Sequence, residues 1–135
     1  MRNIECKMPE KLPNTTKRLL YIEDDSYCQN IVSRVLSGKY YIDFGIDADA
    51  ALNLIEEYDY DAFLLDINLR HGLDGVQLME KIKEMDKYRN TPFVAITAYV
   101  AIADKKEFLE KGFTHYLAKP FMLKDLTATV ESLFN

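Results

Sequence analysis

The stretch "AFLLDINLRHGLDG" (residues 62–75) runs four apolar residues, Ala62 to Leu65, straight into a carboxylate, Asp66. A polar loop containing glycine and the start of a helix follow it. An apolar run of this length, bounded by turn residues, reads as a buried strand. An acid closing such a run is ordinarily a turn residue or a helix cap. The role of Asp66 therefore depends on what the rest of the chain sets beside it.

Working outward, similar short runs occur at "RLLYIE" (18–23), "YYIDFG" (40–45), "PFVAIT" (92–97) and "THYLAK" (114–119), several of them rich in Ile, Val, Tyr or Phe. Helical periodicity lies between them. Cys28, Ile31/Val32 and Val35/Leu36 mark one apolar face, with Gly38 placed as a stop. Ala48, Ala51/Leu52 and Ile55 mark a second, and Val76, Met79, Ile82 and Met85 a third. A fourth, about 101–111, is weak: Phe108 and Leu109 follow Lys105, Lys106 and Glu107, and Gly112 should end it. Leu123, Leu126, Val130 and Leu133/Phe134 mark the fifth. Five strands alternating with five helices predict an α/β fold with a parallel sheet covered on both faces. At this size, right-handed crossovers favour the doubly wound strand order 2-1-3-4-5 of flavodoxin-like (βα)5 folds.

The chain of 135 residues is long enough for one core, and 48% hydrophobic residues suit a folded domain over residues 18–135. Residues 1–17 are polar, carry Pro9, Pro13 and Asn14-Thr15-Thr16, and show no period; they read as a flexible tail or linker. A net charge of −5 argues against direct nucleic-acid binding. No apolar run reaches membrane-spanning length and the N-terminus lacks a signal-peptide core, so a soluble, cytoplasmic protein is expected. Cys6 and Cys28 form no metal-binding spacing, and His71 and His115 are far apart in sequence.

In a doubly wound sheet the functional crevice lies at the carboxyl ends of the strands, where strands 1 and 3 part. Strand 1 ends in Glu23-Asp24-Asp25, strand 3 in Asp66, strand 4 in Thr97 and strand 5 in Lys119, before Pro120. Asp25 or Ser26 suits the cap of the first helix. The remaining acids would repel one another without a positive charge between them. Oxygen ligands, few carboxylates and water describe a Mg²⁺ site. A carboxylate nucleophile, a metal, a hydroxyl and an amine together suit phosphoryl transfer.

The segments "LLYIEDD", "FLLDINL", "DG" at 74–75, "VAITA" and "YLAKPF" resemble the receiver domain of two-component response regulators, over about residues 18–135. The resemblance implies a phosphorylation-activated switch rather than a metabolic enzyme. Asp66 would accept a phosphoryl group from a histidine kinase or histidine phosphotransfer protein, and the domain would catalyse only its own phosphorylation and dephosphorylation. Glu23, Asp24, Asp66 and the backbone carbonyl of Asn68 would hold Mg²⁺, and Thr97 and Lys119 would contact the phosphoryl group. Thr97 and Tyr116 would form the switch, Tyr116 turning inward and changing the surface of helix 4, strand 5 and helix 5. Lys119-Pro120 resembles the family's cis peptide. The loop "NLRHGLDG" departs from the family: it lacks the usual proline and is one residue longer than the commonest form, which bears on loop flexibility and kinase docking. Asn68 and the bulky Tyr99 occupy positions resembling those that tune water access to the acyl phosphate.

With no output domain after Asn135, phosphorylation is expected to be read by a protein partner. The tail resembles linkers leading into C-terminal receivers of hybrid histidine kinases; Met1 suits a stand-alone protein equally. Three other readings meet obstacles. A haloacid-dehalogenase-type phosphatase needs a second acid two residues after the nucleophile, where this chain has Asn68. A flavodoxin-like cofactor binder needs a phosphate-holding first loop, and here that loop is acidic. A pseudo-receiver would not need the full set of site residues.

Overall fold

A computed structural model of the chain describes residues 13, 15–69, 71–98 and 102–134. Most of the expected tail, with Cys6, and also Tyr99 lie outside the described residues. Five strands, β1 (Arg18–Ile22), β2 (Tyr41–Gly45), β3 (Ala62–Asp66), β4 (Phe93–Thr97) and β5 (His115–Ala118), form one parallel sheet. Its order is β2-β1-β3-β4-β5, as the alternating pattern predicts. Five helices connect and follow the strands: α1 (Ser26–Leu36), α2 (Ala48–Glu57), α3 (Gly75–Lys83), α4 (Ile102–Lys111) and α5 (Leu123–Ser132).

The alternation of side chains along a strand divides the core in two. Leu20, Ile22, Phe63, Leu65, Phe93 and Ala95 pack with residues of α2, α3 and α4 on one face. Leu19, Tyr21, Leu64, Val94, Ile96 and Leu117 pack with residues of α1 and α5 on the other. All five residues of β3 and all five of β4 are buried. Burial of a leucine such as Leu64 contributes about 1.5–3 kcal/mol of transfer free energy. The central strands are thus fixed firmly, and so are the residues at their ends.

Several helix faces differ in detail from the sequence pattern. Leu78, rather than Val76, joins Met79 and Ile82 in the fully buried stripe of α3, because the helix begins at Gly75 and its rotation is set by that contact with the sheet. Leu123 is exposed at the first turn of α5, ahead of the buried Leu126 and Val130. Ser37, not Gly38, caps the end of α1, its amide donating to the Ser33 carbonyl, and Gly38 follows without a left-handed backbone; positive φ occurs at Gly72 and Gly112. Gly112, at φ +132°, lets the chain turn out of α4 where a side chain would be strained. Strand β2, at the sheet edge, is only partly buried.

Candidate functional site

Parallel register carries the carboxyl ends of β1, β3, β4 and β5 to one rim. Ile22 pairs with Leu65, Asp66 with Ile96 and Thr97 with Ala118. Just beyond β1, Glu23 and Asp24 meet Asp66: each of the three offers a carboxylate oxygen, and these atoms lie within 4.8 Å of one another. Glu23 is 1% exposed and Asp66 5% exposed. Asp25 belongs to the helix instead. It is the N-cap of α1, and its Oδ1 accepts the Tyr27 amide at 2.9 Å.

Lys119 supplies the compensating charge. Its Nζ lies 2.7 Å from Glu23 Oε1 and 3.4 Å from Asp66 Oδ2. Burial pushes the Glu23 carboxyl above its ordinary range; the hydrogen bond from Lys119 opposes that shift, and Asp66 reinforces it. Burial would lower the Lys119 amine, but the hydrogen bond to Glu23 and the charges of Glu23 and Asp66 outweigh it and hold the ammonium above its usual value. The Lys119 ammonium thus pairs with two of the three carboxylates, Glu23 and Asp66. Such a cleft, with carboxylate oxygens from three acids gathered in one place, fits a hard divalent cation.

The other sequence-derived positions fall around this centre. Thr97 is fully buried at the end of β4, on the strand next to Asp66. The amide of Asn68 donates to Asp66 Oδ1 at 3.0 Å, which sets the Asn68 main chain beside the carboxylate. The Lys119–Pro120 peptide bond is cis. Tyr116 stands apart from the acid cluster. Its ring stacks on Phe108 of α4 at 6.1 Å, and its buried hydroxyl has no hydrogen-bond partner among the described residues. On either side of residue 70, Leu69 is buried and Leu73 packs against the same core face. Asp74 caps α3 in a reciprocal capping box with Gln77, and the Gly75 amide donates to the Ile67 carbonyl at 3.1 Å.

Two neighbours of the site escape the motif reading. The Tyr21 hydroxyl donates to Glu23 Oε1 at 2.8 Å, and Gln29 Nε2 donates to the Glu23 carbonyl at 2.5 Å. The Tyr21 phenol is pushed far above its ordinary pKa by burial and then by Glu23, so it remains a donor. The signal for Tyr21 was its two-residue spacing from Glu23, which puts both on one face of an extended chain. Gln29 sits on α1 with no such cue.

Residues 19–131 match the family described as the response regulator receiver domain. The transcriptional regulatory protein PrrA of Mycobacterium tuberculosis (strain ATCC 25618 / H37Rv) is 35% identical over 121 residues, covering 88% of this chain and 50% of PrrA. The transcriptional regulatory protein HprR of Escherichia coli (strain K12) is 34% identical over 116 residues, covering 85% of this chain and 50% of HprR. The chain thus spans about half the length of these curated relatives. Among solved structures, the receiver domain of a sensor histidine kinase of Pseudomonas aeruginosa PAO1, with a magnesium ion coordinated in its active site cleft, superposes with a TM-score of 0.77. It is 28% identical, and the match covers 88% of this chain and 98% of that one. Sheet order, the acid cluster beside Lys119 and a family match across nearly all the described residues agree: this chain belongs to the response regulator receiver domains, the phosphorylation-activated signalling modules of two-component systems.

Proposed function

We propose that Asp66 is the phosphoacceptor and that residues 18–135 work as a phosphorylation-driven switch. The observation that carries this reading is a nearly buried carboxylate at the end of a central strand, with an ammonium 3.4 Å away and two further acids within metal-sharing distance. A carboxylate oxygen of Asp66 attacks phosphorus. The bond from phosphorus to the donor, an imidazole nitrogen or an acyl oxygen, breaks as the new acyl P–O bond forms. The leaving group keeps the electron pair and takes up a proton where its pKa requires one. Lys119 and the Thr97 hydroxyl hold the peripheral oxygens of the transferred group. Glu23, Asp24, Asp66 and the Asn68 carbonyl hold Mg²⁺, which when bound offsets charge on that group.

The donor is a histidine kinase or histidine phosphotransfer protein. An apolar groove beside Lys119, lined by Tyr27, Ile31, Val35, Phe121, Met122 and Leu123, supports docking of such a protein at the mouth of the site. The phosphorylated state is read through α4, β5 and α5 by a protein partner, in the cytoplasm; the net charge of −5 favours a protein over nucleic acid for this segment. The domain acts on its own phosphoryl group and not on a free substrate.

Intact-mass measurement after treatment with acetyl phosphate tests the reading. With Mg²⁺ the chain should gain one phosphoryl group, labile to hydroxylamine, and Asp66→Asn should gain none. An unlabelled wild-type chain, or a labelled Asp66→Asn, overturns the assignment, and steady turnover of phosphomonoesters would mark a phosphatase.

A further inference from the structure

Tyr21 is fully buried in β1, on the face covered by α1 and α5, with its ring edge-on to Phe44 at 5.8 Å. A buried phenol needs a hydrogen-bond partner, and any nearby carbonyl would serve a purely structural role. Here the partner is a carboxylate of the acid cluster: Glu23 Oε1, at 2.8 Å. Lys119 Nζ approaches the same oxygen at 2.7 Å. The other oxygen, Oε2, receives the Asp25 amide at 3.3 Å. The two short bonds therefore converge on one oxygen of Glu23, and one of them comes from inside the core.

We propose that Tyr21 is a positioning residue for the cation site, its hydroxyl holding Glu23 Oε1 inward so that Oε2 is presented to the cation. The proposal rests on Glu23 being a metal ligand. A glutamate has one more rotatable bond than an aspartate, and that extra freedom must be removed before its carboxylate can serve as a fixed ligand. Hydrogen bonds from beneath a ligand commonly do this, and their loss typically costs 10–100-fold in metal affinity. Lys119 alone cannot supply the constraint, because its long stem is shared with Asp66. Tyr21 is held by the sheet on both sides and cannot follow a wandering carboxylate.

The test is a Mg²⁺ titration of wild-type chain and Tyr21→Phe, followed by the amide resonances of Asp66 and Asn68, with metal-free melting recorded for both. Tyr21→Phe should still fold cooperatively without metal, at a lowered melting temperature, and bind Mg²⁺ about 10-fold or more weakly. Equal affinities overturn the proposal. A second readout uses the unaltered chain with tyrosines carrying ¹³C at Cζ. The Tyr21 signal should shift along the same Mg²⁺ titration curve as the Asp66 amide; a Tyr21 signal that stays still while Asp66 shifts overturns the proposal even if the variant does not fold. If no resonance at Glu23, Asp24 or Asp66 responds to Mg²⁺ in the wild-type chain, the metal reading itself falls.

Discussion

Gly75 lies directly against the backbone of Asp66. A Cβ placed on Gly75 would come within 2.4 Å of the Asp66 carbonyl oxygen and 2.8 Å of Ile67 Cα. Both are main-chain atoms, so neither can swing aside. Gly75→Ala must push α3 off the exit of β3 and should lower stability by about 1–3 kcal/mol in urea unfolding. It should also weaken Mg²⁺ binding, since the displaced backbone carries Asp66. Gly38→Ala is the control: its Cβ would meet nothing within 4 Å and its φ is not positive, so stability should rise by about 0.4–1 kcal/mol. Equal effects of the two substitutions would contradict the close-approach argument.

The acid cluster should make the fold metal-dependent in its stability. Only the folded chain assembles Glu23, Asp24 and Asp66, so Mg²⁺ at ten times its Kd should add about 1.4 kcal/mol. Asp24→Asn removes one of the three carboxylates that would share the cation. It should reduce the gain in melting temperature on adding Mg²⁺. A wild-type melting temperature indifferent to Mg²⁺ across the millimolar range would count against the site.

Phosphorylation should be transmitted through Thr97. A phosphoryl group on Asp66 adds roughly two negative charges, and charge-assisted hydrogen bonds to it are worth about 1.5–3 kcal/mol each. Drawing Thr97 toward Asp66 would open room beside β4 for Tyr116, whose hydroxyl lacks a hydrogen-bond partner among the described residues. Thr97→Ala should therefore still be phosphorylated, yet beryllofluoride should leave the amides of α4 and β5 unmoved. If those amides shift as fully as in wild type, the signal leaves by another route.

Acidification should expose a separate weakness at β5. Partial burial holds the His115 imidazole below its ordinary value near 6.5. The unfolded chain therefore takes up a proton at that site before the folded chain does, and stability is lost as pH falls from about 6.5 through the lower folded value. Above about 6.5 the contribution is fully present. His115→Gln should flatten this part of the stability–pH curve; an unchanged slope between pH 7 and 5 would mean other groups cause it.

The arrangement of strands was legible because apolar runs and helical stripes alternate without ambiguity. Asp66, Lys119 and Thr97 could be placed at one rim because parallel strands share a direction. Burial at the helix edges was less legible, since the phase of a stripe depends on contacts absent from its pattern. Gly75 rotates α3 so that Leu78 is buried; Leu123 looks like a stripe residue yet is exposed. The Tyr21 hydrogen bond was missed for a related reason: in a strand of apolar neighbours a tyrosine reads as filler, and only the reach of its hydroxyl past the ring makes it part of the site.

Phe108 is the buried side chain of α4 among the described residues, and it stacks on Tyr116. The helix is thus moored to the sheet by way of a ring that has its own unsatisfied polar end. If a rearrangement gives that hydroxyl a partner, the ring has to turn under Phe108, and helix position and ring orientation would then shift together. A substitution at Phe108 would then loosen the clutch without touching the acid cluster, leaving a chain that can charge but cannot drive.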